Sequence, residues 1–87
     1  MTPPVVMLYM SDWCPYCRRA KDLLAKKNIA FTEIDVEEQA KFREEMMART
    51  NRRTVPQIFI GDRHVGGCDD LFALDASGEL DRLTQGV

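Results

Sequence analysis

Val5-Val6-Met7-Leu8-Tyr9-Met10 runs through Ser11-Asp12-Trp13 into Cys14-Pro15-Tyr16-Cys17, and this stretch sets how the rest of the chain folds. An unbroken apolar run predicts a central strand covered on both faces. The residues after it break the run. Arg18 through Lys27 then carry a helical pattern with Cys17, Ala20, Leu23 and Leu24 as its inward stripe. The two cysteines therefore sit where a buried strand hands over to a helix, Cys14 at the helix mouth and Cys17 one turn in. A Cys-x-x-Cys at such a junction reads as a dithiol redox site.

The chemistry follows from the helix end. Its first N–H groups lack intrahelical partners, and the macrodipole adds partial positive charge. Thiolates so placed are stabilised, with pKa values lowered from about 8.5 into a range of roughly 3.5 to 7.5. Pro15 suits the first helical position, where a missing N–H is harmless and φ is preset. The competing readings are a structural cysteine pair or half of a zinc site. Cys14, Cys17, His64 and Cys68 make a formal Cys₃His set. Only the first two have metal-like spacing, so no metal is expected.

Working outward, Phe31 to Val36 alternates as a second strand, which makes a right-handed parallel crossover. Asp35 and Glu38 have the spacing of a capping box for a second helix reaching about Arg49. Phe42 and Met46 are its expected anchors, and its Glu and Arg residues mostly a solvated face. Val55 to Ile60 reads as a third strand, Gly61-Asp62 as a turn, and His64-Val65 as a short antiparallel fourth strand. Gly66-Gly67 breaks it. Asp69 to Ala76 is a third helix, Gly78 a stop, and Glu79 to Leu83 a further amphipathic turn. The expected class is α/β, in the order β-α-β-α-β-β-α: a four-stranded mixed sheet with helices on both faces.

Size and charge bound the function. With 87 residues the chain is expected to form one domain over 1–87. A net charge of −2, from 12 basic and 14 acidic residues, argues against nucleic-acid or membrane binding. No run approaches the ~18 apolar residues of a membrane span, and Met1-Thr2-Pro3-Pro4 has no signal-peptide character. Three cysteines do not suit a secreted disulfide framework. A reducing cytoplasm and a monomer are the expectation.

Three signatures occur in order: Cys14-Pro15-Tyr16-Cys17, Thr54-Val55-Pro56-Gln57, and Gly66-Gly67-Cys68-Asp69-Asp70. On these the chain resembles the small dithiol glutaredoxins, on a thioredoxin-like fold, over nearly its whole length. The resemblance implies a glutathione-dependent oxidoreductase with glutathione as co-substrate. Its substrates would be disulfide-containing or glutathionylated proteins. It makes Cys14 and Cys17 catalytic. It implies that Pro56 is cis and faces the dithiol, so that Thr54, Val55 and Pro56 present backbone to an extended substrate. It further assigns the glutathione carboxylate to the Cys68 and Asp69 backbone, the amino group to the Asp69 side chain, the other carboxylate to Arg52, and packing along the tripeptide to Tyr16.

Plainer readings stand beside these. Only ~5–6% of X–Pro bonds are cis, so a trans Pro56 at a strand edge is the default without the resemblance. Asp69 and Asp70 suit a helix N-terminus in any case, and Asp70 is read as no more than that. Arg53 and His64 read as surface or packing residues. Cys68 is a small packing residue or a third thiol open to glutathionylation. Many glutaredoxins carry a lysine where Ser11 stands, which leaves the helix terminus to do more of the stabilising here. Two rivals keep the Cys-x-x-Cys but change the role. One is a thioredoxin-type reductant served by a flavoprotein reductase, and the other is a carrier of a bridging [2Fe–2S] cluster.

Overall fold

The apolar run forms β1 (Val6–Met10) of a four-stranded sheet. The computed structural model describes residues 4–85. The reading of Met1-Thr2-Pro3, and the ends of the 1–87 span, lie outside the described residues. After β1 come α1 (Pro15–Lys26), β2 (Thr32–Asp35), α2 (Ala40–Thr50), β3 (Gln57–Ile60), β4 (Arg63–Gly66), α3 (Cys68–Ala76) and α4 (Glu79–Thr84). The strands lie in the order β2-β1-β3-β4. β2 runs parallel to β1, with Met7 opposite Thr32 and Met10 opposite Asp35. β3 is antiparallel to both β1 and β4, and its register against β4 slips by one between Ile58 and Phe59.

Side chains alternate across a strand, and β1 uses both sides. Val6, Leu8 and Met10 enter a core shared with Cys14, Cys17, Ala20 and Leu24 of the α1 segment, Leu71 of α3 and Leu80 of α4. Tyr9 points the other way, joining Val36, Met46 and Phe59 under α2. Each fully buried aliphatic side chain contributes roughly 1.5–3 kcal/mol of transfer free energy. The expectation of a mixed sheet with helices on both faces therefore holds. The last amphipathic turn is a helix of its own, separated from α3 by Gly78 at φ +83°.

Two local expectations change. The Asp35–Glu38 capping box does not form, because β2 extends through Asp35 and its carboxylate accepts the Glu37 N–H at 2.8 Å instead. Short acidic side chains compete in this way with helical pairing. α2 starts later, at Ala40 after Gln39, with no side-chain cap. Its Glu and Arg residues are mostly exposed, as expected, and two of them also reach the core: the Tyr9 hydroxyl donates to Glu45 (2.8 Å) and accepts from Arg49 (2.9 Å). Arg49 also lies 3.9 Å above the Phe59 ring. Met46 is the buried anchor, whereas Phe42 is only half-buried. Lys27 is the C-cap of α1. It pairs with Asp75 of α3 and Asp81 of α4.

Candidate active site

Cys14 is the N-cap of α1, with extended backbone (φ −83°, ψ 115°), and Pro15 opens the helix behind it. Its sulfur accepts the Cys17 N–H at 3.3 Å. An otherwise unpaired helix-end donor is thus spent on sulfur, as the sequence pattern requires. On its other side the Cys14 thiol approaches the Val55 carbonyl at 3.6 Å. The Val55–Pro56 peptide is cis. The dithiol and the Thr54-Val55-Pro56 loop, 40 residues apart in sequence, therefore face each other.

The two thiols differ in environment. Cys14 is 6% exposed and Cys17 only 1%. Burial, reinforced by the hydrogen-bonded Cys14 beside it, pushes the Cys17 thiol up to about 12. Cys17 is therefore a protonated thiol at neutral pH. Cys68, at the first position of α3, is also buried, and burial raises its pKa. Ser11 is buried at 1% exposure, its carbonyl accepts the Cys14 N–H at 3.2 Å, and its hydroxyl has no partner among the described residues.

Beside the dithiol lies a groove of about 210 Å³. Tyr16, Arg52, Thr54, Val55 and Pro56 line one part of it, and Cys68 and Asp69 another. All seven residues singled out around Cys14 and Cys17 thus share one surface. Tyr16 is 55% exposed, standing off the first turn of α1. Three further lining residues belong to the quoted signatures but carry no expected site role: Gln57, Gly67 and Asp70. Asp70, set aside as a helix charge, accepts the Gly67 N–H at 2.9 Å and stands 3.5 Å from the Arg52 guanidinium. It closes the first turn of α3 and steadies Arg52 at once. Gly66 makes room for this: its φ is +122°, and a Cβ there would come within 3.0 Å of the Asp70 Cβ. The signal for Asp70 was its spacing of three from Gly67, the spacing at which an acidic side chain reaches back to the cap N–H.

His64 is half-buried, stacked on Phe59 with ring centroids 5.0 Å apart and 2.7 Å from the Gln57 carbonyl oxygen. Burial, followed by Arg52, lowers its pKa. Among the described residues no three His, Cys, Asp or Glu side chains are gathered as for a metal ion. The formal Cys₃His set is therefore not assembled. A larger hollow of about 600 Å³ lies at the other end of β1, lined by Val5, Lys27, Phe31 and Asp81, and contains no thiol.

An N-capping thiol paired to a second thiol one turn on, under a cis-proline loop and on a β-α-β-α-β-β-α frame, defines a thioredoxin-like redox protein. Comparison with known proteins narrows this. The glutaredoxin family model matches residues 6–65. Glutaredoxin 3 of Escherichia coli K12 is 55% identical over 78 residues, covering 90% of this chain and 94% of that protein. The solution structure of a Brucella melitensis glutaredoxin superposes with a TM-score of 0.87 at 50% identity, over 99% of this chain and 94% of that one. A crystal structure of a buckwheat glutaredoxin–glutathione complex superposes with a TM-score of 0.85 at 26% identity, over 93% and 76%. The chain belongs to the glutaredoxin family.

Proposed function

We propose that this protein is a glutathione-dependent thiol–disulfide oxidoreductase, acting on protein disulfides and on glutathione mixed disulfides. The observation that carries the reading is the junction of thiol and groove. Cys14 takes a helix-end N–H on its sulfur and touches Val55, whose loop forms one wall of a groove with Arg52 and Asp69 at its rim. A zwitterionic tripeptide with two carboxylates and one ammonium suits that rim. Arg52 offers a guanidinium fork to a carboxylate, the start of α3 offers N–H groups to another, and Asp69 offers an anion to the ammonium. The buckwheat relative with bound glutathione supports the same ligand.

The chemistry is thiol–disulfide exchange. The Cys14 thiolate attacks one sulfur of the substrate, the old S–S bond breaks, and the departing thiolate takes up a proton. With a protein disulfide, Cys17 loses its proton and attacks the Cys14 sulfur. This closes a Cys14–Cys17 disulfide and releases the reduced protein. One glutathione then opens that disulfide as a mixed disulfide on Cys14. A second glutathione removes the first as glutathione disulfide, returning two electrons in all. With a glutathionylated protein, Cys14 takes the glutathione moiety directly and Cys17 is not needed. A Cys17 held protonated suits this order of events, since a single sulfur is then the attacker in the resting enzyme. The setting is a reducing cytoplasm, and the working unit a monomer.

The test is turnover of a small glutathione mixed disulfide with glutathione, glutathione reductase and NADPH. Cys14→Ser is expected to fall to background on every substrate. Cys17→Ser is expected to keep deglutathionylation and lose protein-disulfide reduction. Equal loss of both activities in Cys17→Ser would refute the division of roles.

A further inference from the structure

Gln57 is the one buried amide in the groove wall, 1% exposed at the start of β3. Its side-chain nitrogen donates to the Thr54 carbonyl at 3.0 Å and to the Thr54 hydroxyl at 3.2 Å. The Thr54 carbonyl has no hydrogen to offer, so the Gln57 atom facing it must be the NH₂ group. The other end of the amide is therefore an acceptor only. His64 Nε2 sits 2.7 Å from that oxygen, so it must carry the hydrogen of this contact. The ring is held in plane by Phe59, its cross-strand partner, at an interplanar angle of 29°. A chain of contacts thus runs from the edge strand β4 through His64 and Gln57 to Thr54. The next residue, Val55, meets the attacking sulfur.

We infer that His64 is a positioning residue of the groove: its Nε2–H holds the Gln57 amide, and through it the Thr54–Val55 backbone along which the tripeptide lies. The inference rests on the glutathione reading above and extends it to a residue that touches neither the substrate nor the dithiol. Thr54 is exposed and belongs to no strand, so side-chain contacts must supply the order that ladder hydrogen bonds give elsewhere. Gln57 makes two of them, and His64 sets which way round Gln57 sits.

His64→Phe keeps an aromatic ring against Phe59 and removes the donor. His64→Gln returns an amide N–H at about the reach of Nε2. With the 87-residue chain and a glutathionylated peptide, His64→Phe is expected to raise KM for the peptide roughly three- to tenfold, the effect of one lost hydrogen bond. Its kcat should stay within about twofold, because binding geometry and not the Cys14 chemistry is disturbed. His64→Gln should bring KM back to within about twofold of the parent. Nitrogen-15 NMR of the unmodified protein should show Nε2 of His64 protonated and Nδ1 not, at a pH where the ring is neutral. An unchanged KM in folded His64→Phe, or an unprotonated Nε2 in the parent, overturns the inference. Should His64→Phe not fold, the tautomer measurement decides it. Failure of the parent to turn over glutathione mixed disulfides would instead remove the proposed function.

Discussion

The two faces of the sheet bury different chemistry. Under α1, α3 and α4 the core is aliphatic: Val6, Leu8, Leu24, Ile58, Leu71 and Leu80 surround Cys14 and Cys17. Under α2 it is small and aromatic, and polar groups finish it. The Tyr9 hydroxyl meets Glu45 and Arg49, Arg49 covers Phe59, and Phe59 stacks on His64. The dry face keeps the second thiol protonated by withholding water from it. The polar face orders the loop opposite the first thiol through His64, Gln57 and Thr54. One face thus sets the chemistry of sulfur, and the other the shape of what sulfur meets.

The largest effect that could break this contrast is a cavity on the dry face. Leu24→Ala, at a fully buried α1 position, is expected to destabilise the fold by about 2–5 kcal/mol. Urea unfolding measures it. Tyr9→Phe probes the polar face while keeping the ring, and should remove only about 0.5–1.5 kcal/mol, because Glu45 and Arg49 are solvent-exposed and rehydrate. A Tyr9→Phe loss as large as that of Leu24→Ala would mean that hydroxyl contacts hold the α2 face as strongly as apolar burial holds the other, and would erase the contrast.

The smallest effect sharpens the contrast through pH. Cys17 binds its proton more tightly when folded, with a pKa raised from 9.0 to about 12. Its contribution to stability is therefore complete below about pH 9 and is lost as pH rises toward 12. Thermal unfolding between pH 8 and 10 should show stability falling more steeply in the parent than in Cys17→Ser. Equal slopes would show that the thiol is not desolvated in solution. Tyr9 and Cys68, both raised chiefly by burial, add to the parent's slope and remain in the variant.

Much of the architecture was legible because it rests on period and punctuation. The unbroken run Val5 to Met10 announced a strand buried on two sides, and β1 has side chains in both cores. Cys17, Ala20 and Leu24 fell at helical spacing and are the buried residues of α1. The start of α2 was misplaced because Asp35 serves two patterns, and its position in β2 decides between them. Glu45 and Arg49 are exposed, as a solvated face requires, but nothing local marks their contact with the hydroxyl of Tyr9, 36 and 40 residues away. Asp70 is hidden from a local reading in the same way: its Arg52 partner comes from a distant segment. The cis bond at Pro56 and the Arg52 and Asp69 positions came from family resemblance, not from any local rule.

By itself the sequence determined the strand-to-helix junction, the N-capping thiol and the order of elements. These depend on hydrophobic period, helix-end chemistry and backbone preferences within a few residues. It took the assembled fold to lay Val55 against Cys14, to bring Arg52 to Asp70, and to set His64 on Gln57. The reason is physical: each of those contacts joins segments that meet only once the sheet is paired and its two cores have excluded water.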